Sequence, residues 1–385
     1  MRSSRRGNVD PFIVMDVMEA ARAREAAGHR VIHMEVGQPG TAAPAMAREA
    51  VAKALAADPL GYTVALGLPE LRARIARLYG DWYNVDLDPA RVVVTPGSSG
   101  GFILAFSALF DAGERVALGA PGYPSYRQIL KALDLVPVEV QSAAENRYQP
   151  VPADLQGVDF EGLLVASPAN PTGTMLDKGA LGALVDCAAD KGAAFLSDEI
   201  YHGIEYDRKA VTALEVSDDV VVINSFSKFF SMTGWRVGWL VVPDSHVRQV
   251  ERLAQNLFIC PPHVAQVAAL HAMDAKDETE ANLAVYTRNR ELMRVGLPEA
   301  GFDRIAPPDG AFYFYADVSH LTDDSVAFAK EILEEAGVAV TPGLDFDPVR
   351  GAGTLRFSYA RSTADIEEGL ARLKAFMRKR GLAEG

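Results

Sequence analysis

Residues 220–242 read Val-Val-Val-Ile-Asn-Ser-Phe-Ser-Lys-Phe-Phe-Ser-Met-Thr-Gly-Trp-Arg-Val-Gly-Trp-Leu-Val-Val. Two short apolar runs, Val220 to Asn224 and Gly238 to Val242, enclose a polar and aromatic segment that carries Lys228 and Arg236. Runs this short and this free of polar interruption are what strands covered on both faces look like, and such strands belong to a mostly parallel sheet flanked by helices.

Working outward, the same rhythm recurs upstream. Val92 to Thr95, Arg115 to Leu118, Val136 to Val140, Gly162 to Ala166 and Ala193 to Leu196 are expected strands, with helical stretches such as Phe102 to Phe110 between them. This alternation predicts a large three-layer α/β domain. Before it, Met15 to Gly28 reads as an amphipathic helix, Val31 to Met34 as a short strand, and Ala45 to Ala57 and Leu68 to Tyr83 as helices, the last with Pro69 and Glu70 in its first turn. After Pro261 and Pro262 come helical patterns through Leu297 and then a strand from Ala311 to Ala316. A helix from about Ser325 to Ala336, strands Val338 to Thr341 and Thr354 to Ser358, and a last helix ending near Arg380 complete the chain. Without a sustained βαβ repeat, this part predicts a smaller α+β domain. The expected division is 45–285 for the large domain, with 1–44 and 286–385 forming the small one.

The composition narrows the function. With 385 residues, 49% apolar and 23% charged, the chain is an ordinary globular protein with room for two cores. Its net charge of −13 repels phosphate backbones and anionic lipid surfaces, so nucleic-acid binding and membrane attachment are not expected. Near the N-terminus, the apolar run Pro11 to Val14 is broken at once by Asp16 and Glu19, unlike a secretory signal. Two cysteines, Cys187 and Cys260, make no disulfide framework and suit a reducing cytoplasm. No metal site is expected, since His29 and His33 are split by a helix end. The basic cluster Arg2, Arg5 and Arg6 reads as a solvated terminus.

Chemistry concentrates at the ends of the expected strands. A lysine that acts as a nucleophile must be neutral part of the time, and burial beside apolar groups such as Phe226, Phe229 and Phe230 lowers its pKa. Alone, Lys228 would be an ordinary surface lysine with a packed stem. Its neighbours Ser225, Ser227 and Arg236 could donate to a phosphate. The strand ending in Ser197-Asp198-Glu-Ile-Tyr201 would project Asp198 into the ligand crevice at the carboxyl edge of the sheet, where a carboxylate can keep a pyridine nitrogen protonated. Ser167-Pro-Ala-Asn170-Pro-Thr-Gly173 fixes an irregular turn that presents an amide. Thr95-Pro-Gly97-Ser98-Ser99-Gly100-Gly101 opens a helix whose first amides suit a phosphate, and it lacks the spacing of a dinucleotide fingerprint.

Together these blocks resemble the class I and II aminotransferases of the fold-type-I pyridoxal-phosphate family, from about residue 36 to residue 359. The resemblance implies pyridoxal 5'-phosphate as cofactor, with Lys228 forming the Schiff base and Asp198 and Tyr201 completing the catalytic set. It implies Ser98, Ser99, Ser225 and Arg236 on the phosphate, Tyr123 stacked on the ring, and Asn170 and Tyr201 on the ring hydroxyl. Gly37 and Asn170 would line the substrate site, while Arg356, in Leu355-Arg-Phe-Ser-Tyr359, would clamp the substrate α-carboxylate. Tyr62, in Gly61-Tyr-Thr, would reach the phosphate of the neighbouring subunit, which implies a homodimer with shared active sites. The expected reaction moves an amino group between an L-amino acid and a 2-oxo acid. A neutral or aromatic donor is preferred, because no second cation for a side-chain carboxylate can be placed by motif. Competing possibilities are a β-lyase or decarboxylase on the same fold, a non-catalytic effector-binding domain of a transcription regulator, and a nicotinamide dehydrogenase.

Overall fold

A computed structural model describes residues 1–382. Helix α1 (Ile13–Ala26) leads into the two-residue strand β1 (Ile32–His33), followed by α2 (Ala45–Ala57) and α3 (Pro69–Tyr83). Local chemistry sets the ends of α3: Pro69 fits the first turn, where its missing N–H costs nothing, and Asn84 closes the helix in the left-handed region at φ 56°.

The large sheet follows as β2 (Val92–Thr95), β3 (Arg115–Ala120), β4 (Val136–Gln141), β5 (Gly162–Ala166), β6 (Ala194–Asp198), β7 (Val221–Ser225) and β8 (Gly238–Val241), interleaved with α4 (Gly97–Leu109), α5 (Pro124–Ala132) and α6 (Lys178–Asp190). The seven strands lie in the order β2-β8-β7-β6-β5-β3-β4. Only β8 runs against its neighbours, pairing antiparallel with both β2 and β7. Two apolar clusters cover the two faces. One is built on Val222, Phe226, Trp239 and helix α3, the other on Ile223, Leu240 and helix α4. Alternate residues of one strand therefore serve opposite clusters, as the two-residue period of a strand demands.

Helices α7 (Asp244–Leu257), α8 (His263–Ala272) and α9 (Lys276–Glu299) precede a second, four-stranded sheet. Its strands are β9 (Arg304–Ile305), β10 (Tyr313–Asp317), β12 (Thr341–Pro342) and β13 (Thr354–Ser358), with β11 (Val338–Ala339) pairing β1 instead. A third apolar cluster, built on Phe302, Phe314, Phe357 and α11 (Thr363–Lys379), also takes in Ile32 and Met34 from the N-terminal segment. Removing one of these fully buried phenylalanines costs about 3–5 kcal/mol.

Three expectations change here. The strand expected from Val338 to Thr341 splits, because the chain leaves β1 after Ala339 and joins β13 at Thr341. The strand expected from Ala311 begins at Tyr313, since Ala311 holds a left-handed φ of 56° that no strand adopts. The helix expected from Ser325 to Ala336 is α-helical only to Glu331 (α10) and continues as a wider π turn over Ile332–Ala336.

Candidate active site

A cavity of about 560 Å³ opens at the carboxyl edge of the large sheet, where ligands sit in open α/β folds. Its walls come from four places: the α1 region, residues 36–38, the starts of α4 and α5, and the loops after β5, β6 and β7. Tyr313 and Arg356 of the small sheet close it.

Lys228 lies three residues beyond β7. Its Nζ donates to the Gly37 carbonyl at 2.6 Å and sits 5.7 Å from the centre of the Tyr201 ring. Burial, and then the Arg356 cation, push its pKa down to about 8, against the pull of Asp198, with Arg236 adding to the depression. Phe226 and Phe230 stack on each other at 5.1 Å inside the core, and Phe229 turns to Trp82 at 5.4 Å, so none of the three lines the cavity. In an irregular segment neither helical nor strand periodicity tells which way a ring points.

Asp198 is the last residue of β6 and only 3% exposed. One carboxylate oxygen accepts the Ile200 N–H at 3.0 Å, as a turn cap would, and the other accepts the Tyr126 hydroxyl. Burial still raises its pKa to about 6, opposed by those two bonds and by Lys228. A buried carboxylate this costly is a group waiting for a cation.

Arg356 projects from β13. Its Nη1 donates to Asn170 Oδ1 at 2.8 Å, and its Nη2 donates to the Glu35 carbonyl and, at 3.2 Å, to Thr341 Oγ1. The guanidinium carbon lies 4.4 Å from the Tyr313 ring centre and 4.7 Å from that of Phe346. Its buried Nε has no hydrogen-bond partner. Asn170 thus offers its amide nitrogen to the cavity, its oxygen being engaged.

At the other end of the cavity, Ser98 and Ser99 occupy the first turn of α4, and Arg236 turns in at φ 53°. Gly97 holds a left-handed φ of 71° that favours glycine, and a methyl group there would stand 2.4 Å from Arg236 Nη2 and push the guanidinium off the helix start. Helix amides, two hydroxyls and an arginine together form a cradle for a phosphate. Tyr123 lines the adjoining wall, edge-on to Tyr126 at 5.2 Å and to Phe12 at 5.9 Å.

Ten of the twelve expected site residues therefore meet in one cavity: Gly37, Ser98, Ser99, Tyr123, Asn170, Asp198, Tyr201, Lys228, Arg236 and Arg356. Ser225 does not line it. Its Oγ lies 2.8 Å from Ser227 Oγ and 3.1 Å from the Val237 carbonyl, and Ser227 faces the cavity in its place. Tyr62 stands apart, 83% exposed on the loop between α2 and α3. Two lining tyrosines were not foreseen. Tyr126 could have been found, since it stands three residues after Tyr123 in a helix begun by Pro124 and so shares its face. Tyr313 gives no such signal. Among the described residues, no group of three or more His, Cys, Asp or Glu could hold a metal ion.

A deep lysine and carboxylate, a helix start with two serines and an arginine, and a second buried arginine, gathered at the carboxyl edge of a mostly parallel sheet, fit a fold-type-I pyridoxal-phosphate transferase. The sequence profile described as "Aminotransferase class I and II" matches residues 29–373. The chain is 46% identical to the valine–pyruvate aminotransferase of Mycobacterium tuberculosis, over 98% of each chain. A solved chain from Silicibacter pomeroyi, assigned as a candidate aminotransferase, is 71% identical, with a TM-score of 0.95 and coverage of 99% of this chain and 100% of that one. Thermus thermophilus aspartate aminotransferase is 30% identical with a TM-score of 0.91, over 97% of this chain and 100% of that one. The protein belongs to the class I and II aminotransferases. It is a pyridoxal-phosphate-dependent enzyme that moves an amino group between an amino acid and a 2-oxo acid.

Proposed function

We propose that this transaminase acts on amino acids with uncharged side chains, through the residues gathered in the 560 Å³ cavity. Lys228 would attach the cofactor covalently and, once freed, carry the proton at the substrate α-carbon. Asp198 would hold the proton on the pyridine nitrogen, Asn170 and Tyr201 would bond the ring oxygen, and Tyr123 would lie against the ring. Ser98, Ser99, Ser227 and Arg236 would hold the phosphate, with Ser225 supporting Ser227. Arg356 would pair with the substrate α-carboxylate, beside Gly37 and Asn170. When bound, the cofactor supplies an electron-accepting ring for the charge released at the α-carbon. Proton transfer by a positioned amine contributes roughly 10²–10⁴-fold.

The observation that carries the substrate preference is the charge inventory of the walls. The lining cations are Lys228, Arg236 and Arg356, and each already has a task. The rest of the wall is mainly apolar, formed by Phe12, Val14, Met15, Met18, Val36 and Ile200, with Gln38 and Thr233 as uncharged polar members. A side-chain carboxylate would meet hydrocarbon there at a cost of several kcal/mol. The relative named for valine and pyruvate is also more similar than those named for aspartate. A screen of amino acids against pyruvate and 2-oxoglutarate tests this. Valine, alanine and aromatic donors are expected to exceed aspartate and glutamate in kcat/KM by at least tenfold, and the reverse order would overturn the preference. Release of a 2-oxo acid matching each donor separates transamination from β-elimination and decarboxylation.

The same proposal extends to assembly. The loop carrying Tyr62 is bonded through the Gly61 carbonyl to His263 at 2.9 Å, and it exposes Val64; Leu257 and Ile259, shortly before His263 in sequence, are exposed to a similar degree. We read these exposed apolar residues as part of the contact of a homodimer in which Tyr62 serves the partner's phosphate. Mixing inactive Lys228→Ala with inactive Tyr62→Asp should restore activity after subunit exchange, because one site of each mixed dimer is then intact. No recovery in demonstrated heterodimers would remove the shared site. The apolar clusters support a large domain over 45–285 and a small one from 1–44 and 286–385. Among the described residues no helix is long and apolar enough to cross a membrane, and with two free cysteines we place the enzyme in the cytoplasm.

A further inference from the structure

Two phenols meet at the base of the cavity. Tyr201, three residues beyond β6, and Tyr313, the first residue of β10, hold their hydroxyl oxygens 2.6 Å apart, and both side chains are buried. A phenol has one proton, so in such a pair one hydroxyl donates and the other accepts. The rest of each ring is also engaged: Lys228 Nζ sits over Tyr201, and the Arg356 guanidinium lies 4.4 Å from the centre of the Tyr313 ring. The third participant is Gly37. A methyl group there would stand 1.8 Å from the Tyr313 hydroxyl oxygen, so glycine at this position makes room for that hydroxyl.

We propose that Tyr313 is a positioning residue for the transamination, donating its hydroxyl proton to Tyr201 so that the single Tyr201 proton is directed at the cofactor ring oxygen. This rests on the placement of Tyr201 and Lys228 proposed above. The physical basis is cooperativity, since a hydroxyl that accepts a hydrogen bond becomes a stronger donor in its own. Through its ring, Tyr313 also sets the height of Arg356. One residue thereby ties the ring-oxygen contact to the carboxylate clamp, although the two lie on different sheets.

The experiment is a pH titration of the near-visible absorbance of the holoenzyme, for wild type, Tyr313→Phe, Tyr201→Phe and the double variant. Tyr313→Phe keeps the ring beneath Arg356 and removes only the hydroxyl. The Tyr201 bond to the ring oxygen then weakens, and the nitrogen joined to Lys228 keeps its proton to higher pH. The midpoint is expected to rise by about 0.1–0.7 pH unit, the roughly 10–30% cooperative share of one charge-assisted hydrogen bond. Tyr201→Phe should raise it further, and the double variant should match Tyr201→Phe alone. The amino-acid KM should stay within about twofold of wild type, because the cation–ring contact is retained. A shift in Tyr201→Phe with none in Tyr313→Phe, or equal and additive shifts in the double variant, overturns the relay and leaves the site assignment standing. No shift in Tyr201→Phe overturns the placement of Tyr201 itself, and the relay with it. The titration uses protein freed of unbound pyridoxal phosphate, which itself absorbs in the near-visible, so that misfolding cannot imitate any of these outcomes.

Discussion

Replacing Asp198 by asparagine separates the two roles its environment allows, turn cap and charge partner. Asparagine has nearly the same shape. Its oxygen can keep the Ile200 N–H, while its NH₂ can turn to the Tyr126 hydroxyl, which would then accept. Burial raises the Asp198 pKa from 3.8 to about 6, and two units correspond to ~3 kcal/mol of strain in the charged form. For a carboxyl group with a raised folded-state pKa, stability is fully present below pH 3.8 and is lost as pH rises through about 6. Apo Asp198→Asn escapes that loss. The lost charged hydrogen bonds, about 1.5–3 kcal/mol each, offset much of the gain, so at pH 8 the apo variant should lie within about 2 kcal/mol of wild type. Its thermal midpoint relative to wild type should rise between pH 4 and pH 7. Activity should fall sharply. A carboxylate and a pyridinium in contact at ~3 Å attract by about 5 kcal/mol at an effective dielectric of 20. Losing most of that at the transition state costs roughly 10²–10⁴-fold in kcat. Differential scanning fluorimetry of apoenzyme across pH, with steady-state kinetics of holoenzyme, measures both. A variant with kcat within tenfold of wild type would refute the charge-partner role, most clearly if the apoenzyme were also several kcal/mol less stable.

Lys228→Ala should bind pyridoxal phosphate without covalent attachment and lose transamination, and borohydride should no longer fix cofactor to the chain; labelling at another lysine would dismiss the assignment. Arg356→Lys breaks a fork held by Asn170, Thr341 and the Glu35 carbonyl, so amino-acid kcat/KM should fall about 10²-fold with cofactor affinity unchanged, whereas weakened cofactor binding alone would place the arginine elsewhere. Glu199 is fully buried; one oxygen accepts from Ala213 N–H, Thr212 and Ser197, and burial raises its pKa from 4.5 to about 8. Its contribution is therefore greatest below pH 4.5 and fades as pH rises through about 8, so Glu199→Gln should flatten the fall in thermal midpoint between pH 5 and pH 8; an unchanged slope would show that Glu199 does not titrate there.

Most of the candidate site was legible because its residues sit in short local motifs, each ambiguous alone, whose combination resembles one family. Asp198 ends one apolar strand and Lys228 stands three residues beyond another, and strands of a covered sheet end at the ligand edge, so the chemical type and the address came together. The seryl turn Ser98-Ser99 opens a helix and Arg236 precedes β8, two positions readable from strand boundaries alone. The large sheet was equally readable. Its strands are uninterrupted apolar runs, a pattern that burial on both faces enforces.

What periodicity determined was the class of sheet and the edge at which ligands collect, because both follow from the local period, while the motifs at that edge named most of the candidate residues through their resemblance to a family. What only the tertiary structure decided was which neighbours those residues have. Tyr201 meets Tyr313 across 112 positions and Arg356 meets Asn170 across 186, and no local pattern encodes contacts of that range. The choice of Ser227 over Ser225 depends on a hydroxyl turning to the Val237 carbonyl. The direction of Phe226, Phe229 and Phe230 depends on where Trp239 and Trp82 leave space. These are outcomes of packing, in which side chains from distant segments fill one volume at near-crystalline density, and that volume exists only once the chain has folded.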